Sequence, residues 1–226
     1  MKRLLLASLL AALTAAAQAQ NTTADWASLG RYARQNDSVA ALPAERRRVV
    51  FMGNSITDSW ATMRPRFFAD NGFVGRGISG QTTMQMVLRF AQDVIALRPQ
   101  AVVINAGIND IAENTGPYDE QATFSNIRLM AEQARHYNIN VVLTSVLPAA
   151  GFRWNRAVTD APEKIESLNR RIRAYADKEG LTYIDYHAAM LAPDRRSLNP
   201  AYTRDGVHPT AAGYAVMEEF YKQTSH

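Results

Sequence analysis

An α/β protein built on a five-stranded, mostly parallel sheet with helices on both faces is what this chain's pattern predicts. Three observations lead there. Short apolar runs alternate with helical runs five times after residue 48. The short runs are apolar throughout rather than every second residue, as strands covered on both sides are. The first three runs lead into Gly-containing blocks and Pro148 stops the fourth, which punctuates the chain.

The elements follow in order. Trp26, Leu29, Tyr32 and Ala33 have helical spacing and predict a helix over 23–35. A polar stretch then leads to Arg48. Val49–Met52 is the first strand, and Thr57–Ala69 a helix in which Pro65 is a blemish. Gly72–Ile78 is the second strand. Thr82–Leu97 is a helix with Met84, Val87, Leu88, Ala91 and Ile95 on one face. Ala101–Asn105 is the third strand, Asp119–Tyr137 a helix, and Asn140–Val146 a strand that Pro148 stops. Pro162–Glu179 is a helix, with Pro in its first turn and Gly180 at its end. Thr182–Ile184 is the fifth strand and Thr210–Lys222 the last helix.

Composition bounds the function. The 226 residues are 47% hydrophobic and 20% charged, an ordinary balance for a globular domain. With no cysteine there is no disulfide framework, thiolate metal site or cysteine nucleophile. Lys2-Arg3, the apolar stretch Leu4–Ala17 and Ala17-Gln18-Ala19 read as a signal peptide over residues 1–19. That stretch rises about 21 Å as a helix, short of the roughly 30 Å hydrocarbon core, so no stable membrane anchor is expected. The protein is expected to be exported, to the periplasm or beyond. Residues 20–48 are read as a helical lead-in packed on a domain spanning 49–226. Without Lys2 and Arg3 the 25 basic residues become 23 against 21 acids, a net +2. Arg46–Arg48 is the longest basic run, so no nucleic-acid partner is expected.

In parallel sheets the ligand site lies beyond the carboxyl ends of the strands. There stand Gly53-Asn54-Ser55-Ile56-Thr57, Gly77-Ile78-Ser79-Gly80 and Gly107-Ile108-Asn109-Asp110, and before the last helix Asp205-Gly206-Val207-His208-Pro209. Serine hydrolysis needs a hydroxyl beside a base, an acid that orients the base, and donors for an oxyanion. Ser55 can be the nucleophile, His208 the base and Asp205 its orienter. The backbone N–H groups of Ser55 and Gly80 and the amide of Asn109 can form the oxyanion hole. Of four histidines, His226 is terminal, His136 sits near the end of a polar helix, and His187 is read as structural.

Ser, Gly, Asn and His in this order, in the blocks GNSIT at 53–57, GISG at 77–80, GIND at 107–110 and DGVHP at 205–209, resemble the SGNH (GDSL-type) hydrolases. The Pro after His208 and the pair Gly213-Tyr214 are also family-like. The resemblance implies a flavodoxin-like, three-layer α/β/α sandwich and ester hydrolysis by the residues just assigned, without metal or cofactor. One departure is Asn54, where the family commonly has Asp; it bears on the loop geometry and charge beside Ser55.

No long apolar lid is evident, which disfavours a lipase. Phe152, Arg153, Trp154, Asn155 and Arg156 share one loop, and aromatic with arginine side chains suit a sugar. Trp154, Arg153 and Asn54 are therefore the candidate substrate contacts, although Trp154 can equally pack its loop down. Trp60 is read as core. The expected substrate is a small-molecule or saccharide ester, with acetylated carbohydrate foremost; phospholipid or thioester hydrolysis and a silent carbohydrate-binding module of the same fold are the alternatives. Gly75, Gly77 and Gly80 spell a dinucleotide-binding G-x-G-x-x-G, but they follow the second strand and lack the acid about twenty residues on. Asp58, Asp110 and Asp205 come with no His-x-x-His or comparable ligand set for a metal.

Overall fold

The computed structural model of the chain describes residues 25–224; the segment read as a signal peptide lies outside them. Five strands form one sheet: β1 (Val49–Gly53), β2 (Phe73–Gly77), β3 (Ala101–Asn105), β4 (Asn140–Thr144) and β5 (Thr182–Ile184). All are parallel, in the order β2-β1-β3-β4-β5. Every residue of β1 is buried. That is the reason its pattern is continuous rather than alternating: both faces are covered.

The helices are α1 (Ala33–Ala40), α2 (Ser55–Met63), α3 (Pro65–Asn71), α4 (Thr83–Asp93), α5 (Ile108–Ile111), α6 (Glu120–His136), α7 (Ala161–Glu179), α8 (Tyr186–Met190) and α9 (Ala211–Thr224). One layer holds α2, α3, α8 and α9, and the other α1, α4, α6 and α7. The sheet order reverses between β1 and β3, and their last residues, Gly53 and Asn105, lie side by side. A crevice opens at such a reversal, beyond the carboxyl ends of the strands.

The interface of α2 with α9 is aromatic. Trp60 stacks on Tyr214 at 5.7 Å between ring centroids and on Phe67 at 5.4 Å. Glu218 accepts from Trp60 Nε1 at 3.3 Å and from both Arg64 Nε and Nη2, at 2.7 and 2.8 Å. The Tyr214 hydroxyl donates to the carbonyl of Ile56 at 2.8 Å. This contact fixes the start of α2 against the first turn of α9.

Three expectations are corrected. Asp25 accepts from the N–H groups of Leu29 and Gly30, and Ser28 adopts a left-handed φ of 55°, so the chain turns and the helix starts only at Ala33. Pro65 does not blemish one helix but begins a second after a break at Arg64, as proline at a first helical position does. The predicted apolar face of α4 is only partly inward, with Val87 half-buried against the core. Met84 and Leu88 are 52% and 55% exposed, while Met86 and Phe90 are buried together with Arg89 and Asp93. The short helices α5 and α8 were not foreseen.

The lead-in is tied down by side chains of the β2–α4 region. Gln81, Gln85 and Gln92 each donate an amide N–H, at 2.7 Å, to the carbonyls of Ala27, Trp26 and Leu29 respectively. Beneath them Arg89 and Asp93, both without exposed surface, pair at 2.9 Å. Asn36 donates to Asp93 at 2.6 Å and accepts from Arg76 at 2.9 Å.

Candidate active site

Ser55 is the first residue of α2, directly after β1. Asn54 holds it there: its Oδ1 accepts from Ile56 N at 3.1 Å and its carbonyl from Asp58 N at 2.9 Å. Such a cap satisfies an otherwise orphaned N–H of the first turn. The strand beside it must come close. A Cβ on Gly77 would stand 2.1 Å from Asp58 N, so only glycine lets β2 run under the start of α2.

Asp205 and His208 occupy one tight loop. Asp205 Oδ1 accepts from the N–H groups of Val207 and His208 at 2.9 and 2.8 Å, and its Oδ2 lies 2.7 Å from His208 Nδ1. Burial alone would raise its carboxyl, but these hydrogen bonds prevail and hold it down to about 2, so it is a carboxylate well into the acid range. Thr203 closes the loop, donating to the His208 carbonyl at 2.8 Å and accepting from Gly206 N at 3.1 Å. His208 Nε2 faces Ser55 Oγ at 2.9 Å. Hydroxyl, imidazole and carboxylate thus form a continuous relay from elements 153 residues apart in the chain.

The two other blocks complete the surround. Gly80 has a left-handed φ of 81°, and nothing lies within 4 Å of where a Cβ would be. Glycine is needed there for the backbone turn, and the open side faces the cleft. Asn109, on α5, donates one amide hydrogen to the Gln81 carbonyl at 2.9 Å, which holds the amide in place and leaves the second hydrogen for a ligand. Asp110 turns away and accepts from Thr83 N at 3.0 and 3.1 Å. Burial pushes its carboxyl up to about 6 against the pull of those hydrogen bonds.

Ser55, Ser59, Ser79, Gly80, Asn109, Asn114, Trp154 and His208 line one open cleft of about 480 Å³. Five sequence-chosen residues are thereby gathered: Ser55, Gly80, Asn109 and His208 in the lining, Asp205 behind His208. The candidate substrate contacts divide. Trp154 is in the lining, with its ring 6.3 Å from that of His208. Arg153 is exposed, outside that lining, and its Nη2 lies 3.5 Å from the Arg204 carbonyl. Asn54 has no exposed surface; it lies beneath the cleft, its Oδ1 engaged in the cap and its Nδ2 without a hydrogen-bond partner. His187 is on α8, its backbone N–H donating to Ser145 Oγ at 2.7 Å, and burial lowers its ring pKa. Trp60 is 2% exposed and belongs to the core.

Sequence reasoning missed Asn114, Thr203 and Gln81. The first carries Trp154: its Oδ1 accepts from the indole N–H at 2.9 Å while its Nδ2 donates to the Gly80 carbonyl at 3.1 Å. All three act through contacts distant in sequence or through main-chain atoms, and none sits in a pattern that marks it. Among the described residues no three His, Asp or Glu side chains gather as metal ligands. The arrangement can do acyl-transfer chemistry. A hydroxyl can lose its proton to an imidazole held in one tautomer by a carboxylate, beside a fixed amide donor.

The model of the GDSL-like lipase/acylhydrolase family matches residues 51–216. The structure of a GDSL-like lipase from Bacteroides thetaiotaomicron is 53% identical, covering 88% of this chain and 97% of that one at a TM-score of 0.85. An acetylxylan esterase of Geobacillus stearothermophilus is 24% identical over 153 residues, 64% of this chain and 67% of that protein. The structure of an acetyl-xylooligosaccharide esterase from the same genus shares the fold at 19% identity and a TM-score of 0.61, over 78% of this chain and 92% of that one.

Proposed function

The chain belongs to the GDSL-like lipase/acylhydrolase family, and from that premise we propose that it is an exported serine esterase that removes short acyl groups, acetyl foremost, from carbohydrate. The observation that carries the reading is the relay Ser55–His208–Asp205, at 2.9 and 2.7 Å, opening into the cleft shared with Gly80 and Asn109.

In the first step Ser55 Oγ bonds to the ester carbonyl carbon and its proton passes to His208 Nε2. Asp205 keeps the other ring nitrogen protonated and steadies the imidazolium. The negative charge on the carbonyl oxygen is met by the N–H groups of Ser55 and Gly80 and the free hydrogen of the Asn109 amide. The carbon–oxygen bond to the alcohol then breaks, and His208 Nε2 gives that alcohol its proton. In the second step water loses a proton to His208 and attacks the acyl carbon; the bond to Ser55 breaks and Oγ regains its proton.

The cleft argues for a small acyl group. Three serines, two asparagines and Gly80 make up most of its lining, and Trp154 is its one large apolar side chain, so no hydrocarbon channel for a long chain is built there. The alcohol part is read from Trp154, which offers a half-exposed ring beside those polar groups, and from the acetylxylan esterase that the chain resembles. Export rests on the pattern of Lys2–Ala19.

Hydrolysis of p-nitrophenyl acetate, butyrate and octanoate by the purified protein and by Ser55→Ala, with EDTA present, tests the reading. Turnover is expected to fall from acetate to octanoate and to vanish in the variant. Equal turnover in Ser55→Ala, or a preference for octanoate, overturns it.

A further inference from the structure

A second trough of about 540 Å³ continues the cleft past Trp154, sharing Ser79, Gly80, Asn114 and Trp154 with it and adding Ser28, Gln85, Glu113 and Thr115. We propose that this trough binds the neighbouring, unreacted ring of a neutral oligosaccharide, so that the substrate is an acetylated chain of two or more sugars rather than an acetylated monosaccharide. The proposal rests on the esterase reading above and goes further by naming the form of the alcohol.

Three independent features point to a built site. First, Trp154 is 49% exposed yet firmly held. Its N–H is taken by Asn114 at 2.9 Å and its ring is braced by the buried Phe152, 5.2 Å away between ring centroids and tilted by 42°. The indole needs nothing more from its own chain, so its open face is free to take the apolar C–H face of a sugar. Second, the trough is lined by both Ser28 and Glu113, two of the five non-glycine residues with positive φ among those described, at 55° and 60°. Strained backbone of this kind persists where the surrounding structure holds it, and it gathers at ligand sites. Ser28 belongs to the lead-in, which the glutamines of the β2–α4 region pin in place. Third, the lining is hydroxyl- and amide-rich, which suits a polyhydroxylated chain and not a hydrocarbon one. Its one ionised side chain is Glu113, 3.7 Å from Lys164 Nζ, with no cation in the lining to attract an acidic sugar.

The test compares acetate release from acetylated xylose and acetylated xylotetraose, with p-nitrophenyl acetate as a reference. The wild-type kcat/KM is expected to favour the tetraose on the order of tenfold, the scale of one additional well-made contact. Thr115→Arg, which fills the trough from a position outside the catalytic cleft, should bring that ratio toward one. Unacetylated xylotetraose should competitively inhibit p-nitrophenyl acetate hydrolysis by the wild type at concentrations where xylose does not. This last comparison decides the matter if the variant does not fold. A wild-type ratio of one, a Thr115→Arg ratio equal to the wild type's, or equal inhibition by xylose and xylotetraose overturns the subsite while leaving the esterase standing. Absence of turnover on every ester overturns both.

Discussion

Arg89 Nη2 lies 2.8 Å from the carbonyl oxygen of Gly53, so a cation without exposed surface holds the end of the strand that delivers Ser55. The same guanidinium donates to Gln81 Oε1 at 2.6 Å, and the Gln81 carbonyl is the acceptor that fixes Asn109. One side chain of α4 therefore ties the strand that ends before Ser55 to the loop that fixes Asn109, and Asp93 balances its charge at 2.9 Å.

From this pairing follows an asymmetry. Arg89→Met leaves Asp93 buried without its cation and is expected to lower stability by about 3–5 kcal/mol. Adding Asp93→Leu should restore part of that loss, because the uncompensated carboxylate is gone, the remainder being kept by the buried Arg76, which loses its acidic neighbour. Urea unfolding of wild type, single and double variants measures it; a single variant within about 1 kcal/mol of wild type contradicts the argument.

Asp205→Asn keeps the side chain's shape but removes the charge that orients the imidazole. We predict a fall in kcat on the order of 10³–10⁴ with KM for p-nitrophenyl acetate little changed, as in other serine triads. A loss below about tenfold would remove Asp205 from the relay.

Asn109→Ala withdraws an oxyanion donor and also frees the Gln81 carbonyl. A drop in kcat on the order of 10²–10³ is expected, carried by kcat and not by KM. If KM alone rises, Asn109 binds the ground state instead.

Gly80→Ala isolates backbone strain, since its methyl meets no atom within 4 Å at a φ of 81°. Melting curves should show a loss of about 1–2 kcal/mol, with Gly80→Asn milder because asparagine tolerates this conformation. No shift, or a loss equal in both variants, would show that the turn relaxes.

The Asp110 carboxyl, raised to about 6 from an ordinary 3.8, binds its proton more tightly in the folded chain than in the unfolded one. The sign follows: between roughly pH 4 and 6 its contribution to stability declines as pH rises, by about 2–3 kcal/mol in all, and is flat above. Asp110→Asn should lack that component. Urea midpoints at pH 4.5 and 7 in both proteins decide it, and an identical pH difference in the two rules Asp110 out.

Much of this was legible because the parallel sheet writes plainly. Strands covered on both faces appear as unbroken apolar runs, and the third and fifth lie at the residues their patterns mark. The catalytic candidates were legible for a related reason: chemistry in such folds gathers after strands, and Ser55, Gly80 and Asn109 each follow one. Periodicity failed where polar groups displaced apolar ones. On α4 the stripe of Met84 and Leu88 outvoted Arg89 and Asp93, yet the charged pair is inside because its partners, Asn36, Gln81 and the Gly53 carbonyl, come from elsewhere in the chain. Near Trp26 the helical spacing was real, but the Asp25 carboxylate took the N–H groups of Leu29 and Gly30 and turned the backbone. Asn114 and Thr203 work through contacts across the fold or to main-chain atoms, which no local pattern records.

Acid and base lie three residues apart near the end of the chain, whereas Ser55 precedes His208 by 153 residues. During synthesis the hydroxyl therefore emerges long before anything can activate it, and through most of that time it is an ordinary alcohol. The segment that completes the relay also leads into α9, whose Tyr214 and Glu218 lock onto α2. On the proposed mechanism reactivity is thus coupled to completion: a chain interrupted before Asp205 keeps its serine but lacks the acid and base that would activate it, so an unfinished copy is inert rather than indiscriminate.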